Sequence, residues 1–337
     1  GSSIPPSRHE TPPPRCRSGL RMKSALALRS TAAFVAALAL LRSSWLSTWS
    51  WWSRCLFCLS AVYLPSYLDG AEYKPAPRRN ASLAGSFRAL TQWLIHRLFD
   101  VRPALLESPE RLAACKQYIL AVHPHGVLSL GHILTIMGAD AELEKAAPQA
   151  QRSALSAGVL FKIPGVREQC LWTGAVDAGR RTAGRCLTAG LSLSVVPGGE
   201  REQLLSQRGP TEHLVLRRRQ GFVRLALVHG VPVVPVYCFG EAQLYHQSSF
   251  LIGLRSWLQR KFGMALVMPY GPWGVPGLPF PAPFRMVVGS PMEMPKLPAP
   301  TQQEVDEHHQ RYMAEVINLF ERNKTACGYG DVSLELL

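Results

Sequence analysis

The sequence predicts an α/β fold, a mostly parallel sheet flanked by helices and preceded by an N-terminal membrane hairpin. Three observations predict it. From residue 86 onward, short β-branched runs alternate with stretches of helical periodicity. The junctions after several of those runs hold Gly, Pro, His, Arg or Glu, as ligand loops do at the carboxyl edge of a parallel sheet. Ahead of them lie two apolar stretches, each close to the roughly 20 residues that cross a bilayer.

Residues 1–24 are rich in Pro, Ser and Arg without apolar periodicity and read as a disordered basic N-terminus. Arg8, Arg15, Arg17, Arg21, Lys23 and Arg29 oppose only Glu10, which keeps this end cytosolic by the positive-inside rule. Residues 25–68 form the expected hairpin. Its apolar stretches, Ala25 to Leu41 and Trp45 to Leu64, are broken by Arg42-Ser43-Ser44, and Trp45, Trp49, Trp51 and Trp52 suit a membrane interface. Whether the hairpin crosses or dips in and returns, residues 69–337 stay on the cytosolic side. A cleaved signal peptide would not need the second stretch.

Residues 86–99 place Phe87, Leu90, Leu94, Ile95 and Leu98 at helical spacing. Strands are expected at 118–122, 191–196, 231–237, 265–268 and 285–288, and a helix in the apolar run Val127–Met137. Further helices over 178–189 and 220–229 stop at Gly190 and Gly230. Prolines crowd residues 269–300 and predict an ordered loop. The last helix opens on the capping box Thr301-Gln302-Gln303-Glu304.

Apolar residues make up 47% and charged residues 18%, yet the net charge is +14. That balance suits an anionic membrane face or a polyphosphate-bearing ligand. No helix-turn-helix, zinc-finger or RNA-binding motif supports nucleic acid as a partner. The eight cysteines form no disulfide pattern and imply a reducing compartment. Neither a Walker loop nor Gly-x-Gly-x-x-Gly is present.

The most informative residues are His123-Pro124-His125-Gly126, between the strand-like run 118–122 and the apolar run that follows. Pro124 stiffens the turn and Gly126 lets a ligand approach the backbone. An imidazole there can take a proton from a hydroxyl, and a helix start behind it would offer N–H groups to an anion. A structural histidine, a plain turn or half of a metal site compete. A zinc site needs a third protein ligand, and no pattern supplies one, so no metal is expected. Three more junctions carry polar groups: Pro164 to Arg167 with Arg180-Arg181, Gly198-Gly199 with Glu202, and Phe239-Gly240-Glu241, the last preceded by Arg219-Gln220-Gly221-Phe222 and Arg224.

These motifs, in this order, resemble the type-2 diacylglycerol acyltransferase family, which includes monoacylglycerol and wax-alcohol acyltransferases. The resemblance covers roughly residues 60–330 and includes Tyr63-Leu64-Pro65 and the tail with His309, Tyr312 and Gly328-Tyr329. Pro65 to Gly70 looks closest to algal or protist members. The resemblance implies transfer of an acyl group from acyl-CoA to diacylglycerol, with no metal or bound cofactor. It implies an endoplasmic reticulum membrane enzyme with a cytosol-facing catalytic domain, lipid droplets as a second location, and leaves a homo-oligomer open. His125 is then the general base, with Glu202, Glu241 or His123 as the group that orients it, Glu202 foremost. Gly126, Gly198 and Gly199 are the oxyanion donors, and Arg167, Arg180, Arg219 and Arg224 meet the CoA phosphates. Pro124, Gly221, Phe222 and Glu241 complete the motif. The wider glycerolipid acyltransferases place an orienting Asp where this chain has Leu130. A monoacylglycerol or wax-alcohol acyltransferase, a non-catalytic lipid-droplet protein and a metal-dependent hydrolase are the rival functions.

Overall fold

The computed structural model describes residues 50–75, 81–138, 140–148, 151–262 and 266–337. The chain divides into two units, Gly1–Gly70 and Ala71–Leu337. In the first, the basic N-terminus and residues 25–49 of the expected hairpin lie outside the described residues. What is described is a helix, Trp51–Tyr67, capped by the Ser50 hydroxyl and containing Pro65. Among the described residues no helix is long and apolar enough to cross a membrane.

The second unit is built on seven strands. In chain order they are β1 (Asp100–Leu106), β2 (Ile119–His123), β3 (Arg152–Ser156), β4 (Ala175–Asp177), β5 (Ser192–Val195), then, after a short strand β6 (Thr211–Leu214), β7 (Val233–Phe239) and, after the pair β8 (His246–Gln247) and β9 (Pro269–Tyr270), β10 (Pro283–Val288). Their order in the sheet is β1-β10-β7-β2-β5-β3-β4. Every pairing is parallel except β10 against β7. The sheet is therefore mostly parallel, as expected, with β1 and β10 running the other way at one edge. The C-terminal strand β11 (Ser333–Leu336) pairs with β6 outside the main sheet.

β2 and β7 are buried along their whole length, which is why they read as continuous apolar runs. Side chains alternate between the faces. Ile119 and Ala121 pack with Tyr312, Val316 and Phe320 of the last helix, Gln302–Asn323, and with Phe222 and Ala226 of the helix Gly221–His229. Leu120 and Val122 pack on the other face with Leu130 and Leu134 of the helix Leu130–Met137. The expected strand at 265–268 does not form: Ala265 lies outside the described residues, and Leu266 and Met268 are exposed loop residues.

Candidate active site

The loop after β2 carries both histidines, and the alternation of the strand sends them apart. His123, the last strand residue, is fully buried on the face of the last helix, with Nε2 2.9 Å from the Tyr312 hydroxyl. Phe222 packs edge-on against Tyr312, at 4.9 Å between ring centres. Burial, reinforced by nearby His309, pushes the His123 pKa down to about 3, so the ring is neutral. The His123–Pro124 peptide is cis. His125 lies beyond it with Nδ1 3.0 Å from the Gly126 carbonyl oxygen. A carbonyl only accepts, so Nδ1 carries the proton and Nε2 keeps a lone pair. Burial also lowers the His125 pKa, and the bond to Gly126 works against that shift. The two rings do not form one site, and among the described residues no cluster of His, Cys, Asp and Glu is placed to hold a metal.

Two buried glutamates fix this loop. Glu202, 1% exposed, accepts the His125 amide at 2.5 Å and the Val215 amide at 2.7 Å. Glu241, 2% exposed, accepts the Leu130 and Gly131 amides at 3.0 and 2.8 Å. Burial raises their pKa values to about 7 and about 8, with the amide bonds opposing the rise. The expected free helix start behind His125 is therefore occupied, because Glu241 already holds the Leu130 and Gly131 amides. Neither glutamate touches the imidazole; Glu202 positions His125 through its backbone. The ring's own partner is the neighbouring Gly126 carbonyl. Gly126 has φ +60°, and a Cβ there would run into the Glu241 side chain. Gly198 has a parallel role, since a Cβ on it would overlap Glu202. The Gly199 amide donates to the Val196 carbonyl at 3.2 Å and is not an open donor. Among the described residues the Gly126 and Gly198 amides donate to nothing.

The four arginines separate in the same way. Arg167 is fully buried and pairs with Glu72 at 2.8 Å and Glu168 at 3.3 Å, so it is an interior ion pair rather than a phosphate ligand. Arg224 donates to the Pro300 carbonyl and to Gln302, clamping the start of the last helix. Arg180 is exposed at the first turn of a helix that follows β4 at the carboxyl edge of the sheet. Arg219 lies close enough to Glu200 and Glu202 to lower both carboxyl pKa values against the effect of burial. Among the described residues the Arg180 and Arg219 side chains make no hydrogen bond or ion pair. Gly221 is exposed at its helix start, while Phe222 is core.

With that geometry the chain can be compared with known proteins. The family model described as "Diacylglycerol acyltransferase" matches residues 52–336. The chain belongs to the diacylglycerol acyltransferase family. Human "Diacylglycerol O-acyltransferase 2" is 34% identical over 252 residues, 70% of this chain and 64% of that protein. The chain thus spans less than two thirds of that relative's length. Human "Acyl-CoA wax alcohol acyltransferase 2" is 32% identical over 267 residues, 74% of this chain and 79% of that protein. Among solved structures, the 1-acyl-sn-glycerophosphate acyltransferase PlsC from Thermotoga maritima is 18% identical, with a TM-score of 0.42, covering 86% of this chain and 97% of that one.

In this family member Leu130 contributes its backbone amide to Glu241, not a side chain to the histidine. Sequence reasoning missed two buried polar groups beside the loop. The Tyr237 hydroxyl donates to Glu212 at 2.5 Å, which leaves a third buried carboxyl with a raised pKa, chiefly from burial. His132 places Nδ1 3.1 Å from the Ser194 hydroxyl, which is 2.9 Å from Thr135, and burial drives its pKa to about 3. His132 lies seven residues past His125 on an apolar helix, a signal the sequence carried.

Proposed function

We propose that this protein is an acyl-CoA-dependent O-acyltransferase that makes triacylglycerol from diacylglycerol on the cytosolic face of the endoplasmic reticulum membrane. The observation that carries the reading is the state of His125: a neutral imidazole with Nδ1–H fixed on Gly126 and Nε2 unprotonated, on a loop anchored by Glu202 and Glu241. Family membership supports the reaction class. His125 Nε2 takes the proton of the acceptor hydroxyl as its oxygen attacks the thioester carbonyl carbon. The tetrahedral intermediate collapses, the C–S bond breaks, and the imidazolium returns the proton to the leaving CoA thiolate. The Gly126 and Gly198 amides are the donors left for the oxyanion. Arg180 and Arg219 attract the CoA phosphates. No cofactor is required.

A wax-alcohol acceptor is the second reading, supported by the 32% identity to human wax alcohol acyltransferase 2. The test is acyl transfer by membranes carrying the protein, from labelled acyl-CoA to diacylglycerol, monoacylglycerol and fatty alcohol in parallel. Labelled triacylglycerol as the main product supports the proposal, and wax ester as the main product selects the second reading. No product with any acceptor removes the enzyme and leaves a non-catalytic lipid-droplet protein.

A further inference from the structure

The chain from β8 through β9 and the turn after it, Pro272–Gly274, carries a run of exposed apolar side chains. Phe250, Leu251, Leu254, Trp257, Leu266 and Trp273 are all exposed there, Phe250 at 62% and Trp273 at 92%. The lobe is held firmly from within. Arg255, 1% exposed, donates to the carbonyls of Ser248, Phe250 and Leu266, tying the start of the helix Ile252–Phe262 to the returning chain. Gln247 donates to the Leu204 carbonyl of the helix Gly199–Leu205, which carries Glu202. The apolar side chains therefore sit on a fixed frame joined to the active-site helix.

Two features say what covers this face. Leu251 and Trp273 have φ of 50° and 58°, a left-handed backbone rare for bulky side chains, and the fold turns both outward. The helix Ile252–Phe262 has no acidic residue and presents Arg260 and Lys261 beside Trp257, with the Lys261 ammonium 5.0 Å from the Trp257 ring centre. Tryptophan and aliphatic side chains next to cations match the interface of an anionic bilayer, where rings sit among head groups and cations meet phosphates. We propose that this lobe is a membrane-docking surface of the catalytic unit, separate from residues 25–68, and that it inserts Trp273 and the 250–257 face into an anionic lipid surface beside the active site. The inference does not depend on the acyl-transfer reading.

The full chain carrying Trp273→p-benzoylphenylalanine is reconstituted in phosphatidylcholine vesicles with a minority of phosphatidylserine and irradiated. A matched variant carries the crosslinker at Arg311, which lies near Glu107 and Ser290 at the opposite sheet edge. The expected result is phospholipid adducts at 273 and none at 311. Omitting phosphatidylserine, or adding Arg260→Gln with Lys261→Gln, lowers the adduct yield about tenfold. Lipid adducts at both positions, a crosslink to residues 1–49, a crosslink to a second copy, or no adduct would each overturn the proposal.

Discussion

Gly126→Ala tests how the loop holds His125. Alanine at φ +60° costs about 1–2 kcal/mol in backbone strain. Its Cβ also meets the buried Glu241 side chain, so Glu241 must retreat and release at least one of the two amides it holds. A buried amide without a partner costs about 1–3 kcal/mol. The total loss is roughly 2–5 kcal/mol. The Gly126 carbonyl anchors His125 Nδ1, so the base moves with the loop, and a displacement of about 1 Å costs on the order of 100-fold in rate. The assay is a double-mutant cycle with Glu241→Ala, read by thermal denaturation and by initial rates. With the Glu241 side chain gone the clash is gone, and Gly126→Ala should then cost only the backbone strain. An equal cost in both backgrounds, or full stability and activity in the single variant, would refute the reasoning.

Four further outcomes are expected. Glu202→Ala leaves the His125 and Val215 amides unpartnered in the interior and should destabilise by about 2–6 kcal/mol, seen in thermal denaturation. Stability should fall by roughly 2 kcal/mol from pH 6.5 to 8, measured by denaturant titration, because Glu202 and Glu241, with pKa values raised to about 7 and about 8, keep protons in the folded state that the unfolded chain has already lost. On the acid side His123 and His132, lowered to about 3, oppose that slope below pH 6.5, and stability falls with further acid once the glutamates no longer titrate in the unfolded chain. Arg167→Ala breaks a buried ion pair and should cost about 3–5 kcal/mol, whereas Arg180→Ala should raise the acyl-CoA KM with an unchanged melting temperature.

The sequence made the centre of the sheet and the histidine loop legible because β2 and β7 are continuous apolar runs and because His123 to Gly126 ends one of them. It hid β1, β3 and β4, since Arg102 and Pro103 interrupt the first, Arg152 and two serines leave the second with little apolar signal, and the third has three residues. Glu202 and Glu241 were legible as polar groups at strand ends, but not their targets. They bind backbone amides 77 and about 110 positions away, and a backbone amide leaves no mark in a sequence. Arg167 read as a phosphate ligand because its partner, Glu72, is 95 residues distant. His123 read as a partner of His125, until the alternation of β2 put it on the opposite face against Tyr312.

The central claim is that His125, and not His123, moves the proton. The measurement is labelled triacylglycerol formation by membranes carrying the parent, His125→Ala and His123→Ala, each normalised to folded, inserted protein. The account predicts that His125→Ala lowers the rate by about 10²–10⁴-fold, while His123→Ala lowers stability and keeps most of the rate of the folded fraction. Full activity in His125→Ala, or the same loss per folded molecule in both variants, would contradict it.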